Sequence, residues 1–390
     1  MPTLRLNRIA QPGLLAKVAP ERLLSFLQPM HEYLEKHGFA WPQSEHVKID
    51  YEKLGQLLHF PQEGLPTEMV VPLVLVDEMS TDLQMDRLLE AASQQKITLS
   101  LTGNSSPADV AVQVWLQAPG LLENLHAENH TVRQKNFCYF GGIRDQPRTF
   151  PKVSAERRKA LEDDLDETFK DYKRGGGSRV FIFDHGREVW ILVRRGATFR
   201  REESMERGGQ PGVQLYRPMM YDVLVYDTES DDLGLHVEAK WQEKLYLRCI
   251  GQYVFDDPEY FPAEREISFD PLVNHGVRAL HCGDVPGLAA VKLIEVQKRW
   301  NNTENEVDIK KANDVFAALG ERWRSFLGSG ILTRIVFRMW FEGDKKARTV
   351  ALRWPNVTKY ERDSDGALVQ LWLTRRGYRP TREPKQDAAE

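Results

Sequence analysis

Cysteine is scarce in this chain: Cys138, Cys249 and Cys282 are the only three among 390 residues. They lie far apart, are odd in number and fit no C-x-x-C spacing. Neither a disulfide framework nor a cysteine-based zinc site is supported, and reduced thiols are expected. Long apolar runs are missing as well. None approaches the roughly 18 residues that a membrane-crossing helix requires, and residues 1–13 carry Arg5 and Arg8 without the apolar core of a secretory signal. A cytoplasmic location with no membrane partner is the expectation. Charge of one sign is not in excess either: 53 Lys and Arg against 57 Asp and Glu leave −4. Any site for a polyanion must therefore arise by local clustering. Gly-x-Ser-x-Gly, His-Glu-x-x-His and the Rossmann glycine fingerprint do not occur. The glycines at 175–177 lack a P-loop lysine and precede a strand pattern, so they read as a turn. No fixed-period repeat is present, which excludes a solenoid.

What the chain does contain is ordinary globular material, 41% hydrophobic and 28% charged. At about 150 residues per domain its length predicts two or three folding units. The pattern predicts an α+β protein with three parts. These are a helical domain over residues 1–150, a central mixed β-sheet domain flanked by helices over 151–270, and a C-terminal helix, β-hairpin and helix module over 271–390.

In the first part, residues 20–37 place Leu23, Phe26, Leu27, Met30 and Leu34 near helical spacing, with Pro29 predicting a kink and Gly38 a stop. Asp50 is a candidate cap for the helix carrying Leu54, Leu57 and Leu58. Ser106 as N-cap, Pro107 at the first helical position and Asp109 near the positive helix start predict a helix over 108–117. In the second part, a strongly charged helix is predicted over 154–173. A hairpin turning at 184–187 follows, then a polar loop with Gly208, Gly209 and Gly212, strands over 221–226 and 234–240, and a helix over 242–254. In the third part, a helix over 308–326 precedes strands over 331–341 and 348–354. A last helix over 364–376 ends at Gly377, and the tail after Arg379 is polar.

The most specific constellation is Asp222 followed by Glu238-Ala239-Lys240. The two acids fall on neighbouring strands of a predicted hairpin, and on a regular strand Glu238 and Lys240 share a face because side chains alternate. Two converging carboxylates suit a hard divalent cation such as Mg²⁺, which prefers oxygen ligands and can stabilise charge on a phosphodiester. At these residues the stretch 154–255 resembles the PD-(D/E)xK nuclease superfamily: an acidic helix, an Asp at a strand start, E-x-K on the next strand and a following helix. The resemblance implies that Asp222 and Glu238 hold metal, with Glu167 (less well Asp163 or Asp171) as the helix-borne acid, and that Lys240 assists the nucleophilic water. The chain departs from the pattern in having Tyr221 before Asp222 and an extra strand or long loop. The competing reading makes Glu238 and Lys240 solvent-facing strand charges beside an ordinary turn.

A second feature is the basic C-terminal segment, with 12 Lys or Arg against 5 acids from residue 331 to 382. Arg334, Arg338, Lys345, Lys346, Arg348, Arg353 and Lys359 interleave with Trp340, Trp354 and Tyr360. Such a face neutralises phosphates while its rings stack on bases, and the Lys345-Lys346 turn is placed like the wing of a winged-helix module. The leading expectation is thus a cytoplasmic protein of bacterial type that acts on nucleic acid, DNA foremost, as a Mg²⁺-dependent phosphodiesterase. In that reading the helical domain contacts protein partners. The alternatives are a non-catalytic DNA-binding subunit of a multi-protein system, and a protein-interaction component without nucleic-acid affinity.

Overall fold

A computed structural model describes residues 6–42, 48–103, 105–132, 134–143, 148–205, 210–362 and 365–379. Gly208, Gly209, Ser364 and the tail from Pro380 lie outside the described residues. The chain divides into two compact units, Met1–Asn129 and His130–Glu390. The protein is of the α+β class, and among the described residues no helix is long and apolar enough to cross a membrane.

The first unit is helical, with α1 (Pro12–Leu15), α2 (Pro20–Leu27), α3 (His31–Lys36), α4 (Tyr51–His59), α5 (Thr67–Met79), α6 (Asp82–Gln94) and α7 (Pro107–Gln117); α8 (Pro119–Val132) runs across the boundary. Local chemistry places most of these ends. Pro29 sits in a single 3₁₀ turn that breaks the expected long helix into α2 and α3. The Asp50 carboxylate accepts from the Lys53 N–H at 3.0 Å, and the Ser106 hydroxyl accepts from the Asp109 N–H at 3.2 Å. Pro119 opens α8 as well as closing α7, because proline at a first helical position forfeits no hydrogen bond. Leu23, Phe26, Leu54, Val76, Val110 and Leu122 form the centre of this unit's core.

The second unit is built on β-strands: β1 (Asn136–Gly141), β2 (Arg179–His185), β3 (Glu188–Gly196), β4 (Arg200–Met205), β5 (Pro211–Tyr216), β6 (Met219–Asp227), β7 (Asp232–His236), β8 (Ala263–Glu264), β9 (Leu288–Arg299), β10 (Val307–Lys311), β11 (Ile331–Phe341), β12 (Arg348–Arg353) and β13 (Val357–Lys359). Its helices are α9 (Ala155–Asp171), α10 (Lys240–Phe255), α11 (Asp270–His275), α12 (Val315–Leu319), α13 (Trp323–Leu327) and α14 (Gly366–Arg375). Among the described residues, β4 and β5 form a separate ribbon. The other eleven strands form one sheet in the order β10-β9-β11-β12-β13-β1-β7-β6-β3-β2, with β8 also on β1.

Four expectations are corrected here. The sheet is antiparallel at every described pairing, not mixed. A boundary near residue 270 is not a division of the molecule, because Asn136, Phe137 and Cys138 of β1 pair with Lys359, Thr358 and Val357 of β13 and join both halves in one sheet. The β11–β12 hairpin is interior to that sheet, between β9 and β13, and so is no projecting wing. The helix expected over 308–326 also differs: Val307–Lys311 is the edge strand β10, and helix begins only after Asp314 caps the Ala317 N–H at 3.1 Å.

The helices cover opposite faces of the two halves. Leu161, Leu165 and Phe169 of α9 and Leu245 and Ile250 of α10 pack on Ile191, Leu224 and Leu235. Leu235 stands opposite Cys138, which stands opposite Val357 and, through it, Arg353 and Arg334. The α11–α14 core instead packs on Leu293, Ile335, Phe337 and Leu352, which are the alternate positions of the same strands. Side chains alternate across a strand. The face under α9 and α10 therefore continues, beyond Cys138, as the side of β9–β13 that faces away from α11–α14.

Candidate functional site

The pair of acids singled out from the sequence does converge, but on an arginine. Asp222 lies on β6 beneath α9 and α10, in the parity of Leu224 and Tyr226, and is 2% exposed. Arg195 at the end of β3 shares that face and is equally buried. Its guanidinium donates to both Asp222 oxygens, with Nη2 at 2.9 Å from Oδ1, and the same Nη2 lies 3.3 Å from Glu238 Oε2. Gln242 Nε2 and the Tyr246 hydroxyl, both from α10, donate to Asp222 Oδ2 at 2.9 and 2.6 Å. Arg174 adds a contact to Glu238 at 3.3 Å.

The electrostatics follow from burial and charge. Burial opposes the charge on Arg195, but the hydrogen bonds and charge of Asp222 outweigh it and hold the guanidinium above its ordinary value. Burial and then the Asp222 charge push the Tyr246 hydroxyl well up, so it stays a neutral donor. The result is a saturated, charge-assisted network at a helix–sheet junction.

Lys240 is not part of it. β7 stops at His236, and the chain turns because Gln242 Oε1 accepts the Ala239 N–H at 3.0 Å, which opens α10 at Lys240. Glu238-Ala239-Lys240 is therefore a strand-to-helix turn, and the alternation expected of E-x-K does not apply. The Lys240 side chain is 77% exposed and pairs with Glu243 at 3.1 Å. That hydrogen bond holds its ammonium above the ordinary value, opposite to the shift a proton-accepting lysine needs. Lys240→Ala is expected to leave the unfolding free energy, measured by urea denaturation, within about 0.5 kcal/mol of wild type. His236 gives its Nδ1 to a contact with the Asn136 carbonyl at 2.8 Å.

Asp222, Glu238 and Glu167 do not fit a divalent cation in this arrangement. Asp222 has its oxygens committed to three donors, the position between the acids is filled by Arg195 Nη2, and Glu167 is an exposed residue of α9. Among the described residues no group of three or more His, Cys, Asp or Glu is placed to hold a metal ion.

The basic segment forms a more coherent surface. Four cross-strand rows lie on the side of β9–β13 away from the α11–α14 core. The first is Val307–Arg299–Ile331, and the second is Ile309–Gln297–Arg334–Arg353. The third is Lys311–Glu295–Val336–Ala351–Lys359, and the fourth is Lys292–Arg338–Thr349. Seven cations thus share the rows with one acid, Glu295, which pairs with Arg334 and, at 3.3 Å, with Lys311, while Lys292 reaches Asp314 outside the rows at 3.8 Å. Among the described residues the side chains of Arg338, Arg353 and Lys359 make no hydrogen bond or ion pair. A groove of about 610 Å³ opens beside the rows, lined in part by Arg334, Thr349, Ala351, Lys359 and Lys346.

Of the residues expected to bind nucleic acid, Arg334, Arg338, Arg353 and Lys359 lie on this face. Lys345 and Lys346 stand exposed on the turn between β11 and β12. Arg348 is committed to Asp365 at 2.7 Å and Asp344 at 3.5 Å. Sequence reasoning missed Lys292, Arg299 and Lys311 because β9 and β10 were not read as strands. The signal was available in the alternation of Val291, Leu293 and Val296 with polar neighbours, blurred by the extra residue where the β9–β11 register shifts. The chain matches no protein-family model and no curated protein.

Proposed function

We propose that this protein is a non-catalytic nucleic-acid-binding protein whose binding surface is the face of β9–β13 turned away from α11–α14. The observation that carries this reading is seven cations against one acid in register-fixed rows on that face, where Lys292, Arg299, Lys311, Arg353 and Lys359 are exposed around a buried centre of Val336 and Ala351. Lysine and arginine at such spacing neutralise successive phosphates and release their counterions. In this reading the Arg195-centred network under α9 and α10 braces the sheet that presents the face.

The test is a titration of the full chain into a fluorescently labelled oligonucleotide, read by anisotropy across salt concentrations. Binding is expected at low salt, with affinity falling roughly 10²–10³-fold between about 50 and 200 mM, as several phosphate contacts require. No binding at low salt would reject the reading in favour of a protein-interaction role.

A further inference from the structure

We infer that the nucleic acid taken by this face is single-stranded; the inference rests on the binding reading above and specifies its ligand. Geometry decides between strand states. The five strands from β10 to β13 span four inter-strand spacings, about 19 Å at roughly 4.8 Å each. The major groove of a duplex is about 12 Å wide and admits one helix or a two-stranded ribbon. A sheet this broad cannot enter it, so a duplex would meet the face only through its phosphates and sugars.

The face is not built for phosphates alone. Val307, Ile309 and Ile331 are 46%, 54% and 44% exposed; Val307 and Ile331 flank Arg299, and Ile309 stands beside Gln297. Trp340 follows Arg338 in the parity of the face and is half-buried there. Against a duplex backbone these apolar groups would lose contact with water and gain only charged neighbours. An unpaired strand offers what they can use, because its bases are free to lie on aliphatic and aromatic side chains while its phosphates reach the arginines and lysines. Successive rows are two residues apart, about 6.8 Å, which spaces the cations along an extended backbone.

The experiment compares a mixed-sequence single strand, as DNA and as RNA, with the blunt duplex of the same sequence, at one salt concentration, by anisotropy with the full chain. At least one single strand is expected to bind about tenfold or more tightly than the duplex. Trp340→Ala is expected to lower single-strand affinity by about tenfold while Trp340→Phe retains most of it, as stacking predicts, and duplex affinity should not change. A duplex bound as tightly as both single strands, or a loss on Trp340→Ala that is equal for both forms, would overturn the inference and leave the binding reading standing. Failure of all three ligands to bind would remove the binding reading itself.

Discussion

Arg195→Met is expected to destabilise the protein by about 3–5 kcal/mol, because it leaves the Asp222 carboxylate buried without its cation. Asp222 would keep the hydrogen bonds from Gln242 and Tyr246, but two neutral donors do not replace a bidentate guanidinium at a site 2% exposed. Urea unfolding of the full chain, followed by far-UV circular dichroism, reads the loss as a lower midpoint. Two further variants separate this from a general intolerance of substitution. Glu238→Gln removes an acid whose side chain is 48% exposed and whose contacts are both at 3.3 Å, so it should cost less than about 1 kcal/mol. Pairing Arg195→Met with Asp222→Asn removes both charges while keeping an amide oxygen as acceptor for Gln242 and Tyr246, and should recover most of the loss. Wild-type stability in the Arg195→Met single variant would show that Asp222 does not depend on this guanidinium.

The same residues explain how far the sequence could be read. Ends fixed by neighbours in the chain were legible: Asp50 and Ser106 cap the helices expected of them, and the charged helix expected from residue 154 begins there, with Ser154 accepting from the Arg157 N–H at 3.2 Å. The hairpin turning at 184–187 follows from local turn chemistry, with Gly186 at φ +79°. That Asp222 and Glu238 approach one another was legible too, from strands separated by a short turn. What occupies the space between them was not. Arg195 comes two residues after the run read as a strand, and an arginine after a strand reads as solvated until its partner is known. Lys240 was misplaced because the strand pattern was extended through a turn that Gln242, three residues past the turn's Ala239, closes. The single sheet was illegible for a different reason: β1 pairs with β13, more than two hundred residues later, and no local pattern encodes a partner at that distance. The basic face inherits this, since rows fixed by cross-strand register exist only once the strand order is known.

The combined variant Arg338→Gln, Arg353→Gln, Lys359→Gln is expected to bind nucleic acid roughly 50-fold more weakly at about 0.15 M salt, with a log–log salt slope shallower by about 2. Each single-strand phosphate contact contributes about 0.7 to that slope, so three lost contacts give both figures. These three positions are chosen because their side chains make no hydrogen bond or ion pair among the described residues, so stability should be unaffected and the unfolding midpoint serves as the control. Arg334 is a poorer probe, since Glu295 already holds it. That acid supplies the opposite test. Glu295→Gln removes the one negative charge of the rows and frees Arg334 and Lys311, and should tighten binding roughly threefold, as one additional net charge on the face predicts. Lys345→Gln with Lys346→Gln, on the turn outside the rows, should cost less per removed cation than the triple change. That contrast distinguishes a surface defined by register from one defined by net charge, for a charge-only effect would make each removed cation count alike. Equal losses per cation at turn and face, or unchanged binding in the triple variant, would mean that β9–β13 are not where the polyanion lies.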